Sequence, residues 1–184
     1  MGTKRGKLVV ISGPSGAGKT SVCRALKQDT GVEFSISATT RAMRPTEVNG
    51  VDYHFLDEAE FHRRRAAGEF LESASYNGNY YGTLRQPMLD ALAAGRVFIL
   101  EIEVQGTRQL RDADVEGDFI FIVPPSLEEL RRRLTDRNTN TVAEIESRLE
   151  IAAREMEAES LYDYSVPNDD LPTAIAAVKE RIGL

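Results

Sequence analysis

The chain has 184 residues, of which 41% are hydrophobic and 28% charged, and its formal net charge is −6. That length is about one domain with room for a small insertion, and the acidic balance argues against nonspecific binding along a nucleic acid backbone. No apolar run approaches transmembrane length, and the sole cysteine, Cys23, excludes an intrachain disulfide and leaves little support for a zinc site.

Taken in chain order, Lys4, Arg5 and Lys7 read as a solvated basic start. Leu8–Ile11 is too short for the apolar region of a signal peptide, so a cytoplasmic protein is expected. The same four residues are apolar and mostly β-branched, which predicts a strand. Gly13-Pro14-Ser15-Gly16-Ala17-Gly18-Lys19-Thr20 then fits G-x-x-x-x-G-K-[ST], the phosphate-binding loop. Val22, Cys23 and Leu26 follow at helical spacing, so strand, loop and helix stand in the order this motif needs. The glycines let the backbone turn tightly and aim its N–H groups at an anion. The helix N-terminus adds more N–H groups and a partial positive charge. Lys19 is suited to the β- and γ-phosphates of a nucleoside triphosphate, and the Thr20 hydroxyl to Mg²⁺.

Gly31 is placed to stop the first helix. Phe34-Ser35-Ile36-Ser37 alternates like a short strand. A polar loop follows, with Arg41 and Arg44 three apart, and Asn49-Gly50 marks a turn. Val51–Leu56 is a candidate strand containing Tyr53. Asp57 and Glu60 read as the N-cap pair of a helix over Glu58–Ala67, closed by Gly68. Phe70–Tyr76 and Asn79–Tyr81 flank Asn77-Gly78, a hairpin signal. Residues 35–87 therefore read as a compact, partly β insertion.

The α/β rhythm then resumes. Gln86–Ala94 predicts a helix stopped by Gly95. Val97–Leu100 and Phe119–Val123 are apolar runs of the kind found in strands buried on both faces. Ser126–Glu129 and Thr141–Glu144 are capping boxes for two helices, separated by a break at Asp136–Asn140. The second of these helices runs to about Ser160. Tyr164–Val166 is a last short strand. The final helix sets Leu171, Ile175, Val178 and Ile182 on one face, with Pro172 in its first turn. Strands alternating with helices predict a mostly parallel sheet, with ligands beyond the carboxyl ends of its strands.

Several side chains suit a second anion. Arg41 and Arg44 offer two guanidinium forks, or else a solvated surface pair. Tyr53 and Tyr81 are packing residues or donors to the same phosphate. Glu72 is either a solvent-facing strand residue or a ligand contact. Glu101 and Glu103 lie two apart at the end of an apolar strand and are expected on one face, as metal or ligand contacts. His54 and His62 are expected to be structural or surface residues.

These stretches, in this order, resemble the guanylate kinase family from Leu8 to at least Leu171. The likeness is carried by Gly13–Thr20; Ser35–Arg41 with Arg44; Glu47–Tyr53; Gly78–Thr83; Glu103-Val104-Gln105-Gly106; and Asn168–Leu171. It implies phosphoryl transfer from MgATP to GMP or dGMP, by an α/β protein with a three-layer phosphate-loop core, a partly β nucleotide-binding insertion and a helical lid. The corresponding division is residues 1–34, 88–125 and 156–184 for the core, 35–87 for the insertion and 126–155 for the lid. The resemblance assigns Arg41, Arg44, Tyr53 and Tyr81 to the GMP phosphate, and Ser37, Glu72 and Thr83 to the guanine. Guanine offers N1–H and a 2-amino group, two parallel donors that a carboxylate accepts, whereas adenine has an acceptor at N1. Arg133, Arg137 and Arg148 match lid arginines, otherwise a charged helix face, and Asn168 matches a residue near the ATP base. Glu101 and Glu103 stand for the family's Asp-x-Asp, with Glu101 a water-mediated Mg²⁺ contact. Met43 replaces the usual proline, Thr46 a glycine, and Asn138 another common glycine.

Two other readings compete. One is a non-catalytic guanylate-kinase-like module that captures a phosphorylated peptide; the intact Gly13, Gly18, Lys19 and Thr20 argue against it. The other is a related kinase of a phosphorylated sugar, against which Ser37, Glu72 and Thr83 argue. The sequence gives no oligomeric state.

Overall fold

The structure is a computed structural model that describes residues 6–76, 78–136 and 141–184. Its first half runs β1 (Lys7–Ser12), α1 (Lys19–Leu26), β2 (Val32–Phe34), β3 (Ser37–Thr39), β4 (His54–Phe55), α2 (Glu58–Ala66), β5 (Phe70–Tyr76), β6 (Asn79–Leu84) and α3 (Arg85–Ala93). The second half runs β7 (Val97–Glu101), α4 (Val104–Asp112), β8 (Asp118–Val123), α5 (Leu127–Asp136), α6 (Val142–Met156), a 3₁₀ turn (Glu157–Leu161), β9 (Tyr164–Pro167) and α7 (Leu171–Ile182).

The three apolar runs form the centre of a parallel five-stranded sheet, ordered β2-β7-β1-β8-β9. Successive strand residues point to opposite faces, so each run feeds two cores. Val9, Ile11, Val97, Ile99, Ile120 and Ile122 join Val22, Cys23 and Leu26 of α1 and Ala174, Val178 and Ile182 of α7. Leu8, Val10, Phe98, Leu100 and Phe119 meet Met88 and Ala91 of α3 and Leu110 of α4 on the other face. Helix, sheet and helix make the three layers. The carboxyl ends of β1 and β7 converge where the phosphate loop begins, with Ile11 paired to Glu101.

A second sheet, ordered β4-β3-β6-β5, lies in the insertion. One of its faces closes over α2 through Ala38, Phe61 and Phe70, with Leu56, Tyr80 and Leu84 packed around them. Helices α5 and α6 share a small core of their own, built from Leu130, Leu134, Ile145, Leu149 and Ala152.

Most caps fall where the sequence puts them. The Asp57 side chain accepts the Glu60 N–H at 2.7 Å, and the Thr141–Glu144 box closes in both directions. Ser126 accepts the Glu129 N–H at 3.1 Å, but Glu129 turns to Arg132 and Arg133 instead of completing its box. Four expectations change. The strand expected over Phe34–Ser37 is two strands, because Phe34 ends on the large sheet and Ser37 begins on the small one. The strand expected from Val51 starts at His54, since Val51 and Asp52 form a turn whose N–H groups both bond to Val48. Leu171 is 37% exposed, and Ala174 takes its place on the buried face of α7. Residues 104–112, for which the sequence predicts no element, form α4. The break expected at Asp136–Asn140 lies mainly outside the described residues.

Candidate active site

The phosphate loop leaves β1 at Ser12 and ends in the first turn of α1. Lys19 is the first residue of that helix and only 9% exposed. Its Nζ donates to the Gly13 carbonyl within the loop and lies 3.7 Å from Glu103 Oε2. The Thr20 hydroxyl donates to Glu101 Oε1 at 3.0 Å. One hydroxyl and one carboxylate form a hard oxygen pair of the kind Mg²⁺ accepts when phosphates and water supply its remaining ligands. Among the described residues no cluster of three or more His, Cys, Asp or Glu could hold a metal ion by itself.

The expectation that Glu101 and Glu103 share a strand face is corrected. Glu101 is the last residue of β7, while Glu103 is the N-cap of α4, and its carbonyl accepts the Thr107 N–H at 3.1 Å. Both carboxylates still reach the loop, one through Thr20 and the other through Lys19. The chain turns between them, so strand periodicity does not apply.

The far side of the loop is built by the helical pair and by Asn168, the residue after β9. Arg148 of α6 donates to the Ser15 hydroxyl at 2.8 Å. Glu155, two turns further along the same face, accepts the Ser15 N–H at 3.2 Å. A carboxylate thus sits on one of the N–H groups of the anion-binding loop. Burial raises the Glu155 pKa, and the nearby Glu103 charge raises it further. Arg133 of α5 donates to the Asn168 carbonyl at 2.8 Å and to Glu129 at 2.8 Å. The Asn168 side chain is buried and donates to the Ala17 carbonyl at 2.7 Å. It lies so close to Gly18 that a β-carbon there would stand 2.1 Å from Asn168 Nδ2. Arg137 lies outside the described residues.

The second cluster lines the free face of the small sheet. Ser37 pairs with Thr83, and Thr83 pairs with Glu72. Directly paired residues share a face, so these three side chains stand in a row across β3, β6 and β5. Thr83 donates to Glu72 Oε1 at 2.7 Å. Glu72 is 8% exposed, which removes the solvent-facing alternative. Its pKa is raised, because burial outweighs the hydrogen bonds from Thr83. A bulge puts Glu72 there. Phe70 pairs with Leu84 and Glu72 with Thr83, so the register slips between them. Phe70 consequently stays in the core over α2 while Glu72, two residues on, faces the other way. Gly82 accommodates the bulge: a β-carbon there would lie 3.0 Å from the Glu72 carbonyl oxygen and 3.0 Å from the Phe70 ring.

Tyr81 shares the face of Thr83, by the two-residue period of β6. Its ring meets that of Tyr53 at 6.2 Å, and the Arg41 guanidinium lies over Tyr53 at 5.5 Å. Arg41 is clasped by Glu47 through two bonds, Nη1 to Oε2 at 3.0 Å and Nη2 to Oε1 at 2.7 Å. Glu47 also accepts the backbone N–H of Arg44 at 2.7 Å. The Arg41 bond, followed by that from Arg44, holds the Glu47 carboxyl below the usual carboxylate range. The sequence presents Glu47 only as part of a matching stretch and gives no sign of this clasp. Burial raises the Tyr53 pKa, and the Glu101 charge, on the carboxylate bonded to Thr20, adds a small push in the same direction.

A phosphate loop on a parallel three-layer core, in a chain that also carries an arginine–tyrosine cluster beside a second, smaller sheet, is the arrangement of a nucleotide kinase. The family model for guanylate kinase matches residues 5–183. The guanylate kinase of Bacillus subtilis is 49% identical over 178 residues, spanning 96% of this chain and 87% of the relative. That of Enterococcus faecalis is 45% identical over 182 residues, 98% of this chain and 89% of the relative. The crystal structure of guanylate kinase from Anaplasma phagocytophilum superposes with a TM-score of 0.78 at 32% identity, covering 98% of this chain and 86% of that one. The chain belongs to the guanylate kinase family.

Proposed function

We infer that the chain transfers the γ-phosphoryl group of ATP to GMP, and to dGMP, giving ADP and the guanosine diphosphate. The observation that carries this reading is the row Ser37–Thr83–Glu72 beside the Arg41–Tyr53–Tyr81 cluster, in a chain with a complete phosphate loop. The row is suited to a base that presents two parallel donors, and the cluster to the phosphate of the same nucleotide.

The attacking atom is a GMP phosphate oxygen. With a second phosphate pKa of about 6 it is largely ionised near neutral pH, so no strong general base is needed. A bond forms from that oxygen to the γ-phosphorus as the bond to the β,γ-bridging oxygen breaks, and ADP leaves with that electron pair. Catalysis then rests on holding two polyanions in line and offsetting their repulsion. Lys19 and the loop N–H groups are suited to the β- and γ-phosphates. Arg41, Arg44, Tyr53 and Tyr81 are suited to the acceptor phosphate. Arg148 already stands at the mouth of the loop, and Arg133 and Arg137 complete the set of lid arginines. Thr20, with Glu101 through water, would hold Mg²⁺, which neutralises charge on the β- and γ-oxygens when bound. Glu155 must release the Ser15 N–H before a phosphate can take it. The division into a core (1–34, 88–125, 156–184), an insertion (35–87) and a lid (126–155) belongs to this reading, since closure over both nucleotides would exclude water. Among the described residues no helix is long and apolar enough to cross a membrane. A cytoplasmic location belongs to this reading.

Glu47 preorganises the Arg41 guanidinium and the backbone that carries Arg44 in this scheme. Glu47→Gln leaves one acceptor where three bonds now converge. The KM for GMP is expected to rise about three- to tenfold, the scale of one or two side chains losing their order before binding, with the KM for MgATP unchanged. Steady-state kinetics check this. A lower KM for GMP would show that Glu47 competes with the acceptor phosphate.

The reaction itself is tested by ³¹P NMR of the wild-type chain with MgATP and GMP. GDP and ADP are expected to grow in equal amounts. Growth of inorganic phosphate without GDP, or no change with folded protein, would overturn the reading.

A further inference from the structure

We propose that Gly106 is a specificity-determining position: the absence of a side chain there sets where the Glu72 carboxylate stands. The proposal rests on the reading of Glu72 as the guanine contact, and adds the residue that aims it.

Gly106 lies in the first turn of α4 and is buried. Glycine is a poor helix former beside alanine, so propensity does not account for it. Space does. A β-carbon at Gly106 would stand 2.9 Å from Glu72 Oε2, 3.3 Å from the Glu72 carboxyl carbon and 3.2 Å from Ile102 Cδ1. The bare helix backbone thus backs one carboxylate oxygen, while the other is tied to Thr83 at 2.7 Å. Glu72 is held between a hydrogen bond and a wall.

The wall is itself fixed to the strand. Gln109, three residues on and so on the same side of α4, bonds both ways to Ser73, the neighbour of Glu72. It accepts the Ser73 N–H at 3.1 Å and donates to the Ser73 carbonyl at 2.9 Å. β5 is an edge strand of the small sheet, and Gln109 satisfies polar backbone groups that the edge leaves open. This latch keeps α4, which belongs to the large sheet's side of the molecule, in register with the guanine row. A methyl group at position 106 meets only the ends of flexible side chains, so the carboxylate moves and the helix does not.

The test is a double-mutant cycle on the full chain with Gly106→Ala and Glu72→Gln, reading the KM for GMP, the KM for MgATP and the unfolding midpoint. Gly106→Ala is expected to raise the KM for GMP at least about tenfold, the scale of one displaced hydrogen bond to a charged group. The KM for MgATP and the midpoint should hold. In the Glu72→Gln background the same substitution should cost much less, because the isosteric amide it displaces no longer offers the base a carboxylate. An equal penalty in both backgrounds, an unchanged KM for GMP, or a Gly106→Ala chain that fails to fold would each overturn the proposal. Failure of the underlying reading is told apart by Glu72→Gln alone, which would then leave GMP recognition intact.

Discussion

Lys19→Ala is expected to lower kcat by about 10²- to 10³-fold, the scale seen when one preorganised group is removed from developing transition-state charge. Lys19 sits in the first turn of α1, almost sealed from water, with its ammonium against the Gly13 carbonyl. That contact keeps the side chain folded over the loop, so its charge is already positioned when phosphate arrives. The fold has little stake in it. Alanine is the best helix former, and Glu103, the ammonium's acidic neighbour, has a side chain 68% exposed that water can solvate. The unfolding midpoint should therefore stay close to that of the wild type. Near-normal kcat in a folded Lys19→Ala chain would remove the loop from the chemistry.

The second large effect is expected from Glu72→Gln. The glutamine keeps the length of the side chain and can still accept from Thr83, but it turns an NH₂ toward the two donors of guanine. Losing a hydrogen bond to a charged group and leaving donors opposed should lower kcat/KM for GMP by about 10- to 100-fold. MgATP parameters should not follow. Two pH effects accompany this. Burial raises the Glu72 pKa above its ordinary 4.5, so wild-type kcat/KM for GMP should fall as pH drops through that raised value, and the Glu72→Gln profile should lack the step. For stability the sign is opposite to that of a salt-bridged carboxylate. The folded state binds this proton more tightly than the unfolded state, so the contribution of Glu72 to stability declines as pH rises from 4.5 through the folded value. At neutral pH the Gln variant should unfold at a temperature no lower than the wild type. Unchanged selectivity would take Glu72 out of base recognition.

The sequence makes the core legible because its strands are buried on both sides. Leu8–Ile11, Val97–Leu100 and Phe119–Val123 need continuous apolar runs, and continuous runs are visible. The caps at Asp57, Ser126 and Thr141 are legible because they depend on local spacing. What stays hidden depends on the partner and not the period. Helix α4 buries only Gly106, Thr107 and Leu110, so it carries no apolar stripe to announce it. Missing α4 also misplaced Glu103, which caps that helix and does not extend β7. The bulge at Phe70–Glu72 defeats two-residue alternation, and it is the bulge that turns Glu72 into the row with Ser37 and Thr83. Glu47 and Glu155 are two acidic residues among 29 Asp and Glu, and only their contacts with Arg41 and Ser15 set them apart.

The departures from the usual family pattern have different weights. Met43, in place of a proline, is 52% exposed, and the Glu47 carboxylate ties the Arg41 side chain on one side of it to the Arg44 backbone N–H on the other. The loop is therefore braced through side chains where a proline would stiffen it directly. Glu101 and Glu103 have longer side chains than aspartate and reach Thr20 and Lys19 respectively, so charge is still presented at the loop.

The central claim is that one chain joins a triphosphate site to a pocket that reads guanine. It is tested most directly by a coupled ADP-release assay on the wild-type chain, with MgATP and a panel of GMP, dGMP, AMP, UMP, CMP and ribose phosphates. Turnover confined to GMP and dGMP is the predicted result. Comparable turnover with AMP or a sugar phosphate would contradict the roles given to Ser37, Glu72 and Thr83. No turnover with any acceptor, from folded protein that still binds GMP, would contradict the enzyme itself and leave a nucleotide-binding module.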